Sequence, residues 1–278
     1  VNKNYDEKVV ADFGHEWSVF DQSDVPEHEL HDTFKQYFSI FPFNILNEHA
    51  EGFDLGCGSG RWARFISPMV RKLHCIDPSS KALDVARKNL TESKNCSFYL
   101  ASVDEIPLTD NSMDFGYSLG VLHHIPDTQK GIDQCVKFLK PGAPLLLYLY
   151  YAFDNRPFWF KYIWYISDVL RKIVSIFPNK IKYFICQIIA AVIYFPLAKI
   201  ALLIEKFGIN PSSFPLSAYR NKSLYTMRTD ALDRFGTRLE KRFTQEQIMK
   251  MMINAGLDKI IFNSNEPYWC ALGFKTIV

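Results

Sequence analysis

Short apolar runs and stretches of helical period alternate along the first half of the chain. A strand ending in Phe53-Asp54-Leu55 is followed by runs at Val70–Ile76, Ser97–Ala101, Asp114–Leu119 and Leu145–Tyr150. Between them the spacing predicts helices over 61–69, closed by Ser67-Pro68, over 81–90, and over 128–139, stopped by Lys140-Pro141-Gly142. Ser79 or Ser80 can cap the second of these, whose Leu83, Val85, Ala86 and Leu90 form a packing face. The fifth run is almost wholly apolar, as expected where both faces of a sheet are covered. Alternation of this kind with short loops predicts a doubly wound, mostly parallel α/β sheet. Near the end, Thr244-Gln245-Glu246-Gln247 opens a helix that Gly256 closes, and Asp258–Asn263 and Tyr268–Phe274 form a terminal strand pair.

Two regions depart from that rhythm. At the start, Phe13, Trp17 and Phe20 fall on one face of a helix, and Pro26 begins a second helix carrying Leu30, Phe34, Tyr37 and Phe38. Residues 1–50 therefore read as a helical segment, either packed on the core or lying as a lid over a ligand. Residues 51–150 are the core, 151–240 an insertion, and 241–278 its completion. The insertion holds an aromatic run, Phe158 to Tyr165, and Tyr183–Ala198, sixteen uncharged residues interrupted by Gln187 and Pro196 and short of a membrane span. Over 151–210, eight basic residues against three acidic ones leave a charge of +5. Such a segment reads as a helical cap or homodimer contact, or as peripheral membrane contact through 157–207 on an anionic surface. Residues 218–242 show little periodicity. They read as a polar segment in which Arg220, Tyr225 and Arg228 line an acceptor pocket, or as a solvated loop.

Composition narrows the class without naming it. The 278 residues are 48% hydrophobic and 15% aromatic, as in an ordered globular chain, and the net charge of +2 gives no field for nucleic acid. Six scattered cysteines show neither C-x-x-C nor metal-ligand spacing and read as reduced thiols, with no metal expected. The first residues lack an apolar signal core, so the expectation is a cytoplasmic protein, reaching at most the inner face of a membrane.

The chemistry centres on Asp54-Leu55-Gly56-Cys57-Gly58-Ser59-Gly60. Alternate glycines clear side chains from a ligand's path, and the following helix N-terminus, with free N–H groups in the loop, would face it. Gly58-Ser59-Gly60-Arg61-Trp62-Ala63 formally matches a dinucleotide fingerprint, with Asp77 near the ribose position. Asp54 argues otherwise: a carboxylate at that strand tip repels a pyrophosphate and suits a ligand bearing an ammonium group.

With Asp77-Pro78-Ser79, Val103-Asp104-Glu105-Ile106-Pro107-Leu108, Gly120-Val121-Leu122-His123-His124-Ile125-Pro126-Asp127 and Leu139-Lys140-Pro141-Gly142 added in this order, the chain resembles the class I S-adenosylmethionine-dependent methyltransferases over residues 45–150 and 240–278. It is similar in particular to their small-molecule branch, the ubiquinone-type and the sugar and natural-product O-methyltransferases. The resemblance implies a Rossmann-like, seven-stranded sheet with an antiparallel last strand. It implies that Asp54, Gly56, Cys57, Gly58 and Gly60, with the backbone at Leu119, hold the methionine end of S-adenosylmethionine, and that Asp77, beside Pro78, takes the ribose hydroxyls. Ser102, Val103 and Asp104 stand where the adenine is met; Ser102 replaces the aspartate often found there. His123 and His124 become candidate bases, while tyrosines 148, 150 and 151 stand where such enzymes can place an acidic partner. Trp17, Tyr150 and Tyr151 join Arg220, Tyr225 and Arg228 as expected acceptor contacts. The implied reaction is O-methylation of a polar metabolite, glycan or lipid-linked intermediate, releasing S-adenosylhomocysteine. N- or C-methylation, or a non-catalytic cofactor-binding module at a membrane, are the alternatives, with a nicotinamide oxidoreductase a further one.

Overall fold

Parallel strands need crossovers, and the helical stretches between the apolar runs supply them. The computed structural model describes residues 3–277. Its strands are β1 (Glu51–Leu55), β2 (Lys72–Asp77), β3 (Cys96–Leu100), β4 (Phe115–Leu119), β5 (Pro144–Tyr148), β6 (Leu257–Phe262) and β7 (Cys270–Lys275). Its helices are α1 (Glu7–Val19), α2 (Glu27–Tyr37), α3 (Ala63–Ile66), α4 (Ser80–Asn89), α5 (Thr128–Phe138), α6 (Phe158–Val174), α7 (Asn179–Ile189), α8 (Phe195–Lys206), α9 (Leu224–Gly236) and α10 (Gln245–Asn254). The seven strands form one sheet in the order β3-β2-β1-β4-β5-β7-β6, with β7 antiparallel to both its neighbours. Strand order reverses between β1 and β4, which opens a ligand crevice at their carboxyl ends.

The chain divides into two compact units. One comprises the residues up to Asp21, Asp32–Tyr151 and Leu239 onward; the other comprises Gln22–His31 and Ala152–Arg238.

In the first unit the sheet is covered on both faces. Phe53, Leu55, Leu145 and Leu147 pack with Ile132 of α5 and Ile248 and Met252 of α10. Phe115, Tyr117 and Leu146 pack on the other side with Phe38, Trp62, Leu83 and Ala86. Ser79, rather than Ser80, caps α4 by accepting from Ala82 N, and Thr244 and Gln247 close a reciprocal capping box on α10. The helix expected over 61–69 is shorter: α3 passes into a 3₁₀ turn at Ser67–Met69, where Pro68 cannot continue the α ladder.

The second unit corrects two expectations. Residues 224–236 are helical, not irregular: Ser223 caps α9, and Met227, Ala231, Leu232 and Phe235 are its buried stripe among charged neighbours. Gln187 and Pro196 do not break the apolar stretch. A π turn at Ala190–Tyr194 joins α7 to α8, with Pro196 placed early in α8 where a missing N–H is tolerated. The result is one 28-residue helical rod, Asn179–Lys206, long and apolar enough to cross a membrane.

Candidate active site

The site is built from β1 upward. Alternation along β1 sends Phe53 and Leu55 to one face of the sheet and Asp54 to the other, where its register partners are Cys75 on β2 and Tyr117 on β4. Asp54 is 1% exposed, and neither carboxylate oxygen has a hydrogen-bond partner among the described residues. Burial pushes its carboxyl well above the ordinary range; the neighbouring Tyr117 hydroxyl opposes the rise and the Asp77 carboxylate adds to it. An orphaned, buried acid is costly. A ligand ammonium would supply the missing charge and donors, so this residue fits the amino end of S-adenosylmethionine.

The glycine turn offers few free donors, and the side chains it lacks make room for Val121, Trp17 and Leu90 of the protein itself. Gly56, Gly58 and Gly60 have φ of +74°, +52° and +77°, the left-handed region. Their amides are occupied, contrary to expectation: Gly56 and Cys57 N–H donate to the Ile76 carbonyl, Gly58 N–H to Asp77 Oδ2 and Gly60 N–H to the Cys57 carbonyl. Cys57 turns its thiol into the core beside Cys75, and burial there contributes to pushing it up to about 11. The Cys57 side chain is thereby withdrawn from the crevice. A methyl group added at Gly58 would come within 2.9 Å of the Trp17 indole. Trp17 thus lies over the cofactor loop, with Arg61 stacked between it and Trp62.

Asp77, at the tip of β2, accepts from Gly58 N–H at 3.0 Å and from Ser79 N–H at 2.9 Å, one bond to each oxygen. Each oxygen keeps a second lone pair for a ribose hydroxyl. Burial pushes the Asp77 carboxyl up to about 6, against the two amide bonds. Ribose hydroxyls donating to the carboxylate would favour its ionised form, so cofactor binding there would release a proton below that pH. Affinity is expected to fall as pH drops through about 6, by about tenfold between about pH 7 and pH 5. Titration calorimetry in buffers of different ionisation enthalpy reads both the affinity and the proton count. Without ligand the sign is opposite: a carboxyl raised on folding adds stability at low pH, which is lost as pH rises through about 6.

Pro78 follows Asp77 at the turn into α4. In the loop after β3, Ser102 and Val103 are buried and Ser102 Oγ donates to Glu105 at 3.3 Å. Asp104 accepts from the Asn4 backbone at 2.6 Å, and the Asn4 side chain exchanges hydrogen bonds with the Asp127 backbone. The segment before α1 is thereby strapped across the ends of β3 and β4. Gly14 of α1 lies against Ser79, and Phe13 sits 4.9 Å from the His124 ring. α1 accordingly covers the crevice that β1, β2 and β4 open.

The two histidines beyond β4 differ. His124 Nδ1 lies 2.6 Å from the Leu239 carbonyl, which can only accept; the proton is therefore on Nδ1 and the basic lone pair on Nε2. His123 is fully buried, its ring 3.8 Å from that of Tyr150 and 4.0 Å from that of His124. Burial, reinforced by the neighbouring His124 and Arg242, holds it well below its ordinary range, so it is neutral near pH 7. Tyr150 meets both rings, while Arg242 lies 5.1 Å above Tyr150 and pairs with Glu240 at 2.7 Å. Tyr151 turns elsewhere: its ring packs on Tyr268 and its backbone bridges to Phe243. Leu119 ends β4 beneath this group.

Asp54, Asp77, the glycine turn, Trp17, His124 and Tyr150 thus belong to one unit. Arg220, Tyr225 and Arg228 belong to the other and are held within it. Arg220 pairs with Glu205 at 3.0 Å, Arg228 bonds Gln187 and the Tyr183 hydroxyl, and the Tyr225 hydroxyl accepts from Gln22 N–H. Sequence reading missed Tyr117, the Leu239 carbonyl and the Glu240–Arg242 pair. Tyr117 follows from strand alternation once the β1/β4 register is known; a backbone acceptor leaves no mark in a sequence.

The fold, the crevice and the orphaned acid define a nucleotide-cofactor domain whose ligand carries a positive end. Residues 53–147 match the family model described as a methyltransferase domain. Phosphoethanolamine N-methyltransferase 2 of Caenorhabditis elegans is 35% identical over 100 residues, 35% of this chain and 23% of that protein. The ubiquinone biosynthesis O-methyltransferase of Thiobacillus denitrificans is 33% identical over 92 residues, 32% of this chain and 40% of that protein. The chain spans less than half the length of these relatives. A Bacillus halodurans protein described as a methyltransferase shares the fold, with a TM-score of 0.51 at 14% identity over 84% of this chain and 72% of that one. Residues 53–147 thus match a methyltransferase domain, and the orphaned Asp54 beside Asp77 fits S-adenosylmethionine as its cofactor.

Proposed function

We propose that the protein transfers the methyl group of S-adenosylmethionine to a hydroxyl oxygen of a small polar, glycan or lipid-linked acceptor. The observation that carries the oxygen assignment is the His124–Leu239 hydrogen bond. A hydroxyl must lose its proton as it attacks, and an imidazole whose Nδ1–H is pinned presents Nε2 as the base. The sulfonium methyl is already activated, so the residues chiefly align the acceptor, which is worth about 7–11 kcal/mol when geometry is good. Asp54 and the glycine turn would hold the methionine end, Asp77 the ribose, and Ser102 and Val103 the adenine edge. α1, with Phe13 and Trp17, would exclude water.

The relatives act on different atoms, one an N-methyltransferase and one an O-methyltransferase, so amine acceptors are the second reading. Release of S-adenosylhomocysteine, scored over paired hydroxyl- and amine-bearing acceptors, tests it; turnover of amines alone overturns the oxygen assignment. Thermal shift tests the cofactor. S-adenosylmethionine and S-adenosylhomocysteine at about a hundred times Kd should each stabilise by about 2.7 kcal/mol, whereas NAD should not. A shift with NAD alone would return the site to the dinucleotide reading.

A further inference from the structure

The insertion's helices expose large apolar side chains on their outer faces. On α6, Tyr162, Ile166, Val169 and Ile173 form an i, i+4, i+7, i+11 stripe, and all four are exposed. The opposite stripe holds Asp168 and Arg171, both buried. Arg171 donates to Asp168 and to the carbonyls of Thr237 and Arg238, and Lys172 reaches the same carboxylate at 2.9 Å. The rod formed by α7 and α8 repeats the pattern: Phe184, Ile188, Val192 and Leu203 are exposed, while Lys182 is buried with its ammonium 3.4 Å from the Gly236 carbonyl. In water an amphipathic helix hides its apolar stripe. Here Asp168, Arg171 and Lys182 are inside and bonded, beside small or apolar residues such as Val174, Ala190, Ala198 and Ala201, while large apolar side chains of both helices point outward. An apolar surface of that extent marks an interaction site.

We propose that this unit is a monotopic membrane module whose exposed α6 and α7–α8 faces lie in an anionic bilayer surface. Charge selects the occupant. Residues 151–210 carry +5 while the whole chain carries +2, so the remainder is −3. Lys161, Lys172, Lys180 and Lys206 are exposed on the same helices as the apolar stripes, and of the acids in this stretch Asp168 and Glu205 are already paired. A two-fold contact between copies would set one basic face against another, whereas anionic lipid attracts it. Exposed Phe158, Tyr162, Tyr165 and Phe177 add ring-bearing side chains of the sort that settle at headgroup depth.

Length alone would let the rod cross a bilayer, at about 42 Å for 28 residues and about 1.5 Å each. Its inner stripe forbids it. Arg228 of α9 bonds Gln187 and Tyr183 of the rod, so a crossing would carry α9, with Arg228 and Arg234, into hydrocarbon. Lying in the interface keeps α9 in water and buries only the outer faces. Together with the proposed methyl transfer, this favours a membrane-resident or lipid-linked acceptor.

Flotation of the full chain without cofactor tests the surface independently of methyl transfer, using phosphatidylcholine vesicles with and without phosphatidylglycerol. The chain should float with the anionic vesicles and be partly released by high salt. Ile166→Glu and Val192→Glu should each lower the partition coefficient by roughly tenfold or more, and Lys161→Gln or Lys180→Gln by roughly fivefold each. An unchanged thermal shift with S-adenosylmethionine certifies that these variants fold. Absence from anionic vesicles, equal flotation of an Ile166→Glu/Val192→Glu variant, or a solution dimer broken by that double substitution would each overturn the proposal.

Discussion

Asp54→Asn is expected to bind S-adenosylmethionine roughly a hundredfold or more less tightly and, without it, to unfold at a higher temperature than the wild type. Both effects follow from one arrangement: a carboxylate that is buried, unpaired by the protein and placed at the tip of β1. A charge-assisted hydrogen bond contributes about 1.5–3 kcal/mol, and two oxygens facing one ammonium offer two of them. Removing the charge costs the ligand these bonds. In the empty protein the same charge is a liability, because burial raises the folded-state pKa well above 3.8. Its contribution to stability is present below the unfolded-state pKa and is lost as pH rises through the folded value. The neutral amide escapes that loss. Recovery of about 1–3 kcal/mol near neutral pH corresponds to several degrees in Tm for a chain of this size. Calorimetric titration and thermal denaturation, run on the same samples, read the opposed signs. Equal affinity in the variant would remove Asp54 from the ammonium site.

The adjacent histidines should separate under substitution. His124→Ala is expected to lower kcat by about 10²–10⁴ with little change in cofactor affinity, since the ring would act on the acceptor's proton. His124→Asn, which can still donate to the Leu239 carbonyl but offers no basic lone pair, should not rescue it. His123→Ala should act mainly on stability. That ring is fully buried and stacked on Tyr150, and its loss leaves a cavity costing about 2–4 kcal/mol. Single-turnover rates and denaturation midpoints measured on both variants distinguish the two roles. A His124→Ala enzyme within a few-fold of wild type would make His124 a packing residue and withdraw the oxygen assignment's support.

Much of the first unit could be read without coordinates because its signals are local. Phe53 to Gly60 places a strand end, an acid and a tight turn within eight residues. Asp77 follows at the end of the next apolar run, and Ser79 and Thr244 announce the helices they cap. Period-two and period-3.6 patterns need no knowledge of what lies opposite, so strand and helix order came through with most boundaries off by one or two residues and only the helix at 61–69 cut shorter, to Ala63–Ile66. The helix at 224–236 escaped because its buried stripe is narrow and framed by Arg, Asp and Thr. The apolar stretch at 183–198 read as interrupted and too short for a span because a proline is ordinarily a stop, whereas a π turn makes the rod at 179–206 continuous.

By itself the sequence determined the alternation of the sheet, the left-handed glycine turn beside an acid, and the cofactor class these imply. All three rest on neighbours in the chain. Only the tertiary structure decided which loop amides were already occupied and that Asp54 was left without a partner. It also decided that a carbonyl 115 residues away sets the His124 tautomer, and that the insertion turns its apolar faces outward. Those depend on groups brought together across the fold. A hydrogen bond to a backbone carbonyl, or the choice of which helix stripe is buried, has no signature in the residue types that make it.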